Sequence, residues 1–415
     1  MKKLLLIAKD YPPSSESSGV QRILKFSQYL PELGWDVQIL TMNVKAYGDS
    51  VNNAQLAEIP KSVLVKRAFA LNTALHLSIK GRYFSWMALP DRWMSWIPFG
   101  FFTGLKMILT NRPDVLFSTY PCASAHLLGL LLHRVTGITW IADFRDPMLY
   151  KNDNVKGIQQ FLYQWIERQT LKFCQHAIFT TPGAIQHYAK IKYPNYSENK
   201  WILIPNGFDE QNFIDSNLVS ENAIPNTQLV LLHAGYLYQA ERDPSYFFRA
   251  LSTLFKEKKL NKGEIKIILR AAGNEEIYSA LIKAENLESV IFLESSIPYK
   301  HALAEMLSVD GLLLFQGSLC NHQIPAKVYE YFRAKKPIFA LTDETGDTAS
   351  LLREATVSTI APLNDEIKIA TEFFAFITQL KQGKVSLPDD NFVAKQSRKS
   401  RTEQLAVLLN KICLT

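Results

Sequence analysis

Short apolar runs with no polar interruption recur along the whole chain, separated by amphipathic stretches of helical period. The first half carries KLLLIA (3–8), VQIL (37–40), VLFST (115–119), TWIADF (139–144), AIFTT (177–181) and WILIP (201–205). The second half carries LVLLHAG (229–235), IKIILRAAG (265–273), VIFLE (290–294), GLLLF (311–315) and PIFAL (337–341). A strand with one wet face alternates apolar and polar residues, so continuous runs belong to strands covered on both faces. Interleaved with helical stretches such as GVQRILKFSQYLPELG and VKGIQQFLYQWIERQTLKFC, they predict an α/β fold of doubly wound parallel sheets. A chain of 415 residues exceeds what one core supports. The rhythm therefore predicts two Rossmann-like domains, 1–205 and 206–388, meeting at the turn signal Asn206-Gly207. Residues 389–415 form a last helical pattern after the Pro388-Asp389-Asp390 break, a candidate for crossing back to the first domain.

Bulk chemistry narrows the partners. The net charge is +7, but Lys and Arg are dispersed, and the densest cluster, KQSRKSR (395–401), reads as a solvated helix face. That argues against nucleic acid and leaves a small anionic substrate or an anionic membrane surface. The cysteines Cys122, Cys174, Cys320 and Cys413 show no paired spacing, which fits a reducing cytoplasm without disulfides or a zinc site. The apolar core of MKKLLLIAKD is too short for a signal peptide, and no run is long enough to span a bilayer.

Ligands of open parallel sheets gather beyond the carboxyl ends of the strands. After the first run, YPPSSESSGV ends in Ser17-Ser18-Gly19 at a helix start, where small residues admit a phosphate to backbone N–H groups. No GxGxxG or GxxxxGKS is present. After the fourth run, ADFRDP places Asp143, Arg145 and Asp146 at a buried strand end, which fits either an internal brace or an acceptor-side role. In YLYQAERDPSYFF, Arg242 precedes a helix opened by Asp243-Pro244, and a guanidinium there suits a diphosphate. Tyr299 and Lys300 start a further helix and could edge a base. In PAKVYEYF (325–332), Pro325 suits a first helical turn, and Lys327 and Glu330 share one helix face. They could form a solvated ion pair, or Lys327 could face phosphates while Glu330 accepts from a ribose diol.

Taken in order, YPP…SGVQRILKFSQYLPELGWDVQILT, DVLFSTYP, WIADFRDP, IPNGFD, HAGYLYQAERDP and IPAKVYEYFRAKKPIFAL resemble the family-four retaining glycosyltransferases along most of the chain. The resemblance implies a GT-B fold, two Rossmann-like domains facing a central cleft. It implies a nucleotide-diphosphate sugar as donor substrate on the second domain, an acceptor on the first, and no bound metal or other cofactor. By similarity Glu330 holds the donor ribose, Arg242 stabilises the leaving diphosphate, and Gly19 approaches phosphates or sugar. Three departures stand out: His322 replaces the first of the family's two glutamates, Gly235-Tyr236 replaces a glycine-arginine pair, leaving Lys327 to supply the second charge, and ADFRDP occupies the region of the family's common first-domain histidine. The resulting expectation is a catalytic set of Arg242, Lys327 and Asp143. The donor set is Gly19, Gly235, Arg242, His322, Lys327 and Glu330, with Arg145 and Asp146 on the acceptor side; Gln316 and Gln323 join His322 in choosing the sugar.

Residues 80–109 concentrate Trp86, Trp93, Trp96, Phe99, Phe101 and Phe102 beside Lys80, Arg82 and Arg92. This suits either a packed helix or a bilayer interface. The combined expectation is a cytoplasmic glycosyltransferase, candidate for the inner membrane face, that acts on a glycan or lipid-linked acceptor in surface polysaccharide or lipopolysaccharide synthesis. The alternatives are a sugar-nucleotide epimerase of the same architecture and a non-catalytic nucleotide-binding relative.

Overall fold

A computed structural model describes residues 1–15, 19–149, 155–217 and 228–414. The chain divides into two compact units, Met1–Asn206 with Arg398–Thr415, and Gly207–Ser397. Residues 389–397 thus cluster with the second unit, and the helix Arg398–Ile412 belongs to the first.

The first unit is a seven-stranded, wholly parallel sheet. Its strands are β1 (Lys2–Ile7), β2 (Trp35–Met42), β3 (Leu64–Ala68), β4 (Val115–Thr119), β5 (Thr139–Arg145), β6 (His176–Phe179) and β7 (Trp201–Leu203). They lie in the order β3-β2-β1-β4-β5-β6-β7, so the winding reverses between β1 and β4. Leu5 and Ile7 pack with Leu40, Met42 and Leu116 on one face. Leu4 and Leu6 pack with Val37, Ile39 and Phe117 on the other. Two-sided burial explains why the apolar runs do not alternate. Leu405, Leu409 and Ile412 of the last helix complete the second of these cores.

The second unit repeats the plan with β8 (Leu229–Ala234), β9 (Ile265–Arg270), β10 (Ile291–Glu294), β11 (Gly311–Gln316), β12 (Ile338–Thr342) and β13 (Ile360–Ala361). Their order is β10-β9-β8-β11-β12-β13, all parallel, with the reversal between β8 and β11. The β8–β11 ladder covers only Gly311↔Leu231 and Leu312↔Leu232. Beyond it the strands splay, and side chains must satisfy the backbone there.

Two strands escaped the sequence reading. β3 (LVKRA) pairs only with β2, is half-exposed along most of its length and carries the exposed Lys66, so it lacks the apolar signature. β13 is two residues long. The helix of PAKVYEYF begins at Lys327, leaving Pro325 just outside it, where its carbonyl accepts from the Val328 N–H at 3.0 Å. Residues 80–109 are not one helix: Ser85–Ala88 form a single 3-10 turn, and the α-helix starts at Trp96 and runs to Asn111.

Candidate functional site

In the first unit the strand ends at the winding reversal carry charge. Lys9 and Asp10, just after β1, pair at 2.8 Å, and Lys9 lies 4.2 Å from the Trp93 ring centre. Asp143 on β5 is fully buried. Its carboxylate accepts from Arg22 Nε and Nη2 at 3.0 Å each, and from the Thr119 hydroxyl at 3.0 Å. Arg22, itself 2 % exposed, also donates to the carbonyls of Ile204 and Pro205 at 3.0 Å each. Fork geometry with every charge compensated is what lets a buried ion pair persist. The brace weighed for ADFRDP therefore exists, but its arginine is Arg22 from the first helix rather than the neighbouring Arg145. With both oxygens engaged, Asp143 stands as a tie between β5 and the helix Gly19–Glu32.

Arg145 departs from strand geometry. A register irregularity falls between Asp143 and Arg145, and Arg145 takes a φ of 61°. A non-glycine residue in that region costs of order 1–3 kcal/mol. The Arg145 carbonyl accepts from the Thr180 N–H and hydroxyl at 2.9 Å each, which holds the turn. Its guanidinium donates to the Tyr120 carbonyl at 3.2 Å. Burial pushes the Asp146 carboxyl up, against the pull of Arg145. Gly19 and Arg145 line one narrow crevice together with Lys9, Asp10 and Thr119. Ser17 and Ser18 lie outside the described residues.

In the second unit the candidates converge where β8 and β11 splay. His233, fully buried on β8, places Nδ1 at 2.9 Å from the Leu313 carbonyl. A carbonyl only accepts, so Nδ1 carries the proton and Nε2 is left as an acceptor. Nε2 lies 3.3 Å from Lys327 Nζ, so the ammonium donates to it. Burial and the adjacent Lys327 charge hold the His233 imidazole well below its usual range, so it is neutral. The same Leu313 carbonyl accepts from the Tyr331 hydroxyl at 3.3 Å, and that hydroxyl accepts from the Ala234 N–H at 3.1 Å. Side chains thus replace the ladder beyond Leu312.

Gly235 follows with a φ of 115°, and a Cβ there would stand 2.8 Å from Lys327 Nζ. The lysine head therefore rests over bare backbone. Lys327 is half-buried, and desolvation, with the Arg242 charge next, pushes its pKa down to about 7 against the opposing pull of Glu330. Arg242 is fixed by the buried Gln316 side-chain carbonyl at 3.2 Å and by the Tyr236 carbonyl at 3.3 Å, and lies 5.3 Å from the Tyr238 ring centre. Asp243 accepts from the Ser245 N–H at 3.0 Å and so caps the following helix, Ser245–Lys256. Glu330 accepts from the Tyr299 hydroxyl at 2.6 Å, so the tyrosine assigned to a base edge reaches the helix carboxylate. His322 is exposed on the connection between β11 and that helix.

A cavity of about 580 Å³ opens beside this cluster, lined by Glu241, Asp243, Gly317, Asp343, Glu344 and Lys368 among others. Four carboxylates against one lysine repel a phosphate, and neither Arg242 nor Lys327 lines it. The anion-competent point is the bare backbone at Gly235, with Lys327 over it and Arg242 close enough to depress its ammonium. Among the described residues no His, Cys, Asp or Glu cluster is arranged to hold a metal ion. All the cysteines are free. Sequence reasoning missed His233 and Arg22. A lone histidine ending an apolar strand before a glycine was the available sign of the first.

A glycosyl transferase 4-like domain model matches residues 19–207. The sequence matches no curated protein. Among solved structures, HepE from Anabaena in complex with UDP is similar over 99 % of this chain and 100 % of its own, with a TM-score of 0.69 and 13 % identity. A glycosyltransferase from Rickettsia africae ESF-5 covers 99 % and 98 %, with a TM-score of 0.65 and 12 % identity. WaaG, a glycosyltransferase involved in lipopolysaccharide biosynthesis, covers 98 % and 99 %, with a TM-score of 0.61 and 14 % identity. Two parallel, doubly wound sheets and these shared folds give the chain the GT-B fold, and the glycosyl transferase 4-like domain matched over residues 19–207 agrees with the motif order of the sequence.

Proposed function

We propose that the second unit binds a nucleotide-diphosphate sugar, with the diphosphate over Gly235 between Lys327 and Arg242 and the ribose hydroxyls on Glu330. The convergence of two cations on a glycine at the β8/β11 reversal carries this reading. Fixed cations act where charge grows as the sugar leaves, and they supply it without a metal. His322, Gln316 and Gln323 would then border the transferred sugar. Transfer proceeds with retention to a glycan or lipid-linked acceptor on the first unit, at Arg145 and Asp146, while Asp143 holds that strand end in place. The UDP bound to HepE and the lipopolysaccharide pathway of WaaG support a nucleotide donor and a surface-glycan acceptor.

The first unit also exposes Phe84, Trp86, Phe99 and Phe102, with Lys80, Arg82, Arg92 and Lys106 exposed among them, whereas Trp96 is fully buried. This mixture fits peripheral docking on an anionic lipid surface at the cytoplasmic face. No described helix is long and apolar enough to cross a membrane.

The donor reading is tested by calorimetric titration with UDP, GDP, ADP, CMP and dTDP, beside Glu330→Ala and Arg242→Ala. Selective binding of one nucleotide, much weakened in both variants, is expected. Binding of none, or binding indifferent to both changes, refutes it. Release of sugar only when acceptor is present separates transfer from epimerisation.

A further inference from the structure

The Lys327 side chain begins on a helix and ends over a strand terminus, and a lysine head has too much rotamer freedom to stay there unaided. Three features restrict it. The His233 lone pair receives one N–H at 3.3 Å. The His233 ring is itself fixed by its 2.9 Å bond to Leu313 and by edge-on packing against Phe315, ring centres 5.1 Å apart. Gly235 leaves open the space that any Cβ would take from the ammonium.

We propose that His233 is the positioning residue of the donor site: as a neutral acceptor it holds the Lys327 ammonium over Gly235, where the donor's diphosphate must lie. The inference rests on the donor reading above and extends it to a group that never touches the nucleotide. With one N–H given to His233, the ammonium keeps two for phosphate oxygens. A charged imidazole here would repel the lysine, so the Leu313 bond that fixes the tautomer is part of the device. Burial serves the same end, because it keeps the ring uncharged.

Two substitutions separate positioning from structure. In His233→Asn the amide N–H₂ can still reach the Leu313 carbonyl, as Nδ1 does, but no acceptor reaches Lys327. In His233→Gln the longer side chain brings its carbonyl to where Nε2 stood. Both are titrated, in the full chain, with the nucleoside diphosphate that the unaltered protein prefers and with the matching nucleoside. The expected result is about a tenfold loss of diphosphate affinity in His233→Asn, since a charged hydrogen-bonding partner is misplaced. Nucleoside affinity should be unchanged, and most of the diphosphate affinity restored in His233→Gln. Equal losses for nucleoside and diphosphate mark a merely structural residue and overturn the proposal. Unchanged diphosphate affinity in His233→Asn overturns it alone, leaving the donor reading intact. No nucleotide binding by the unaltered chain overturns the donor reading, and this inference with it.

Discussion

Nucleotide affinity should fall steeply as pH rises from 7 to 9, and Lys327 should be the cause. Its pKa of about 7 in the free protein means the ammonium is half-populated at pH 7. A diphosphate selects the charged form, so binding above that pH must take up a proton. At pH 9 about 1 % of the lysine is charged, which weakens binding about fiftyfold relative to pH 7. The range begins at pH 7 because a terminal phosphate, with its last pKa at about 6, is already ionised there. The charges that bear on the ammonium are those of Arg242 and Glu330, and the His233 imidazole beside it, held well below its usual range by burial, stays neutral throughout. Calorimetric titration with the preferred nucleoside diphosphate at half-unit pH steps reads the slope directly. Repeating it in two buffers of different ionisation enthalpy counts the protons. Lys327→Met should bind at every pH as the unaltered protein binds at its alkaline limit. Folding provides the control, because its sign is opposite. The native pKa lies below the unfolded value, so between pH 7 and about 10 the unfolded chain holds the extra proton and this group's contribution to stability rises with pH. Lost affinity therefore cannot be charged to unfolding at that group. A flat affinity between pH 7 and 9, or a decline that survives Lys327→Met, refutes the reasoning.

Two further outcomes bear on the first unit. Arg22→Met leaves the Asp143 carboxylate buried and unpaired, and should cost about 3–5 kcal/mol in chemical denaturation, with Arg22→Met/Asp143→Leu recovering most of it. A cost under about 1 kcal/mol for the single change would mean water or another cation reaches that pocket. The triple change Phe84→Ser, Trp86→Ser and Phe102→Ser should abolish flotation with phosphatidylglycerol vesicles, and binding by the unaltered chain should weaken with added salt. Vesicle binding that persists in the triple variant assigns those aromatics another role.

The sheets were legible because two-sided burial leaves an unmistakable pattern: Leu4 to Ile7 alternate between two cores, and both are apolar. β3 and β13 carry no such mark: β3 is half-exposed and interrupted by charge, and β13 is two residues long. The charged residues were legible as types and positions but not as pairs. Asp143 was read with its sequence neighbour Arg145, yet a backbone irregularity between them turns Arg145 to the Tyr120 carbonyl, and the buried carboxylate is met by Arg22, 121 residues away. Lys327 and Glu330 show the same limit. Spacing of three on a helix fits two groups that bind each other and equally two that bind different partners. Their neighbours decide it: Lys327 reaches back to His233 on β8, while Glu330 receives Tyr299 from the helix after β10. Each head is thus held by an element other than its own helix, and two such anchors fix a cation and a carboxylate at separate points of one surface. A self-contained ion pair would neutralise itself and offer little to a nucleotide; a cation and an acceptor kept apart can take its phosphates and its ribose at once.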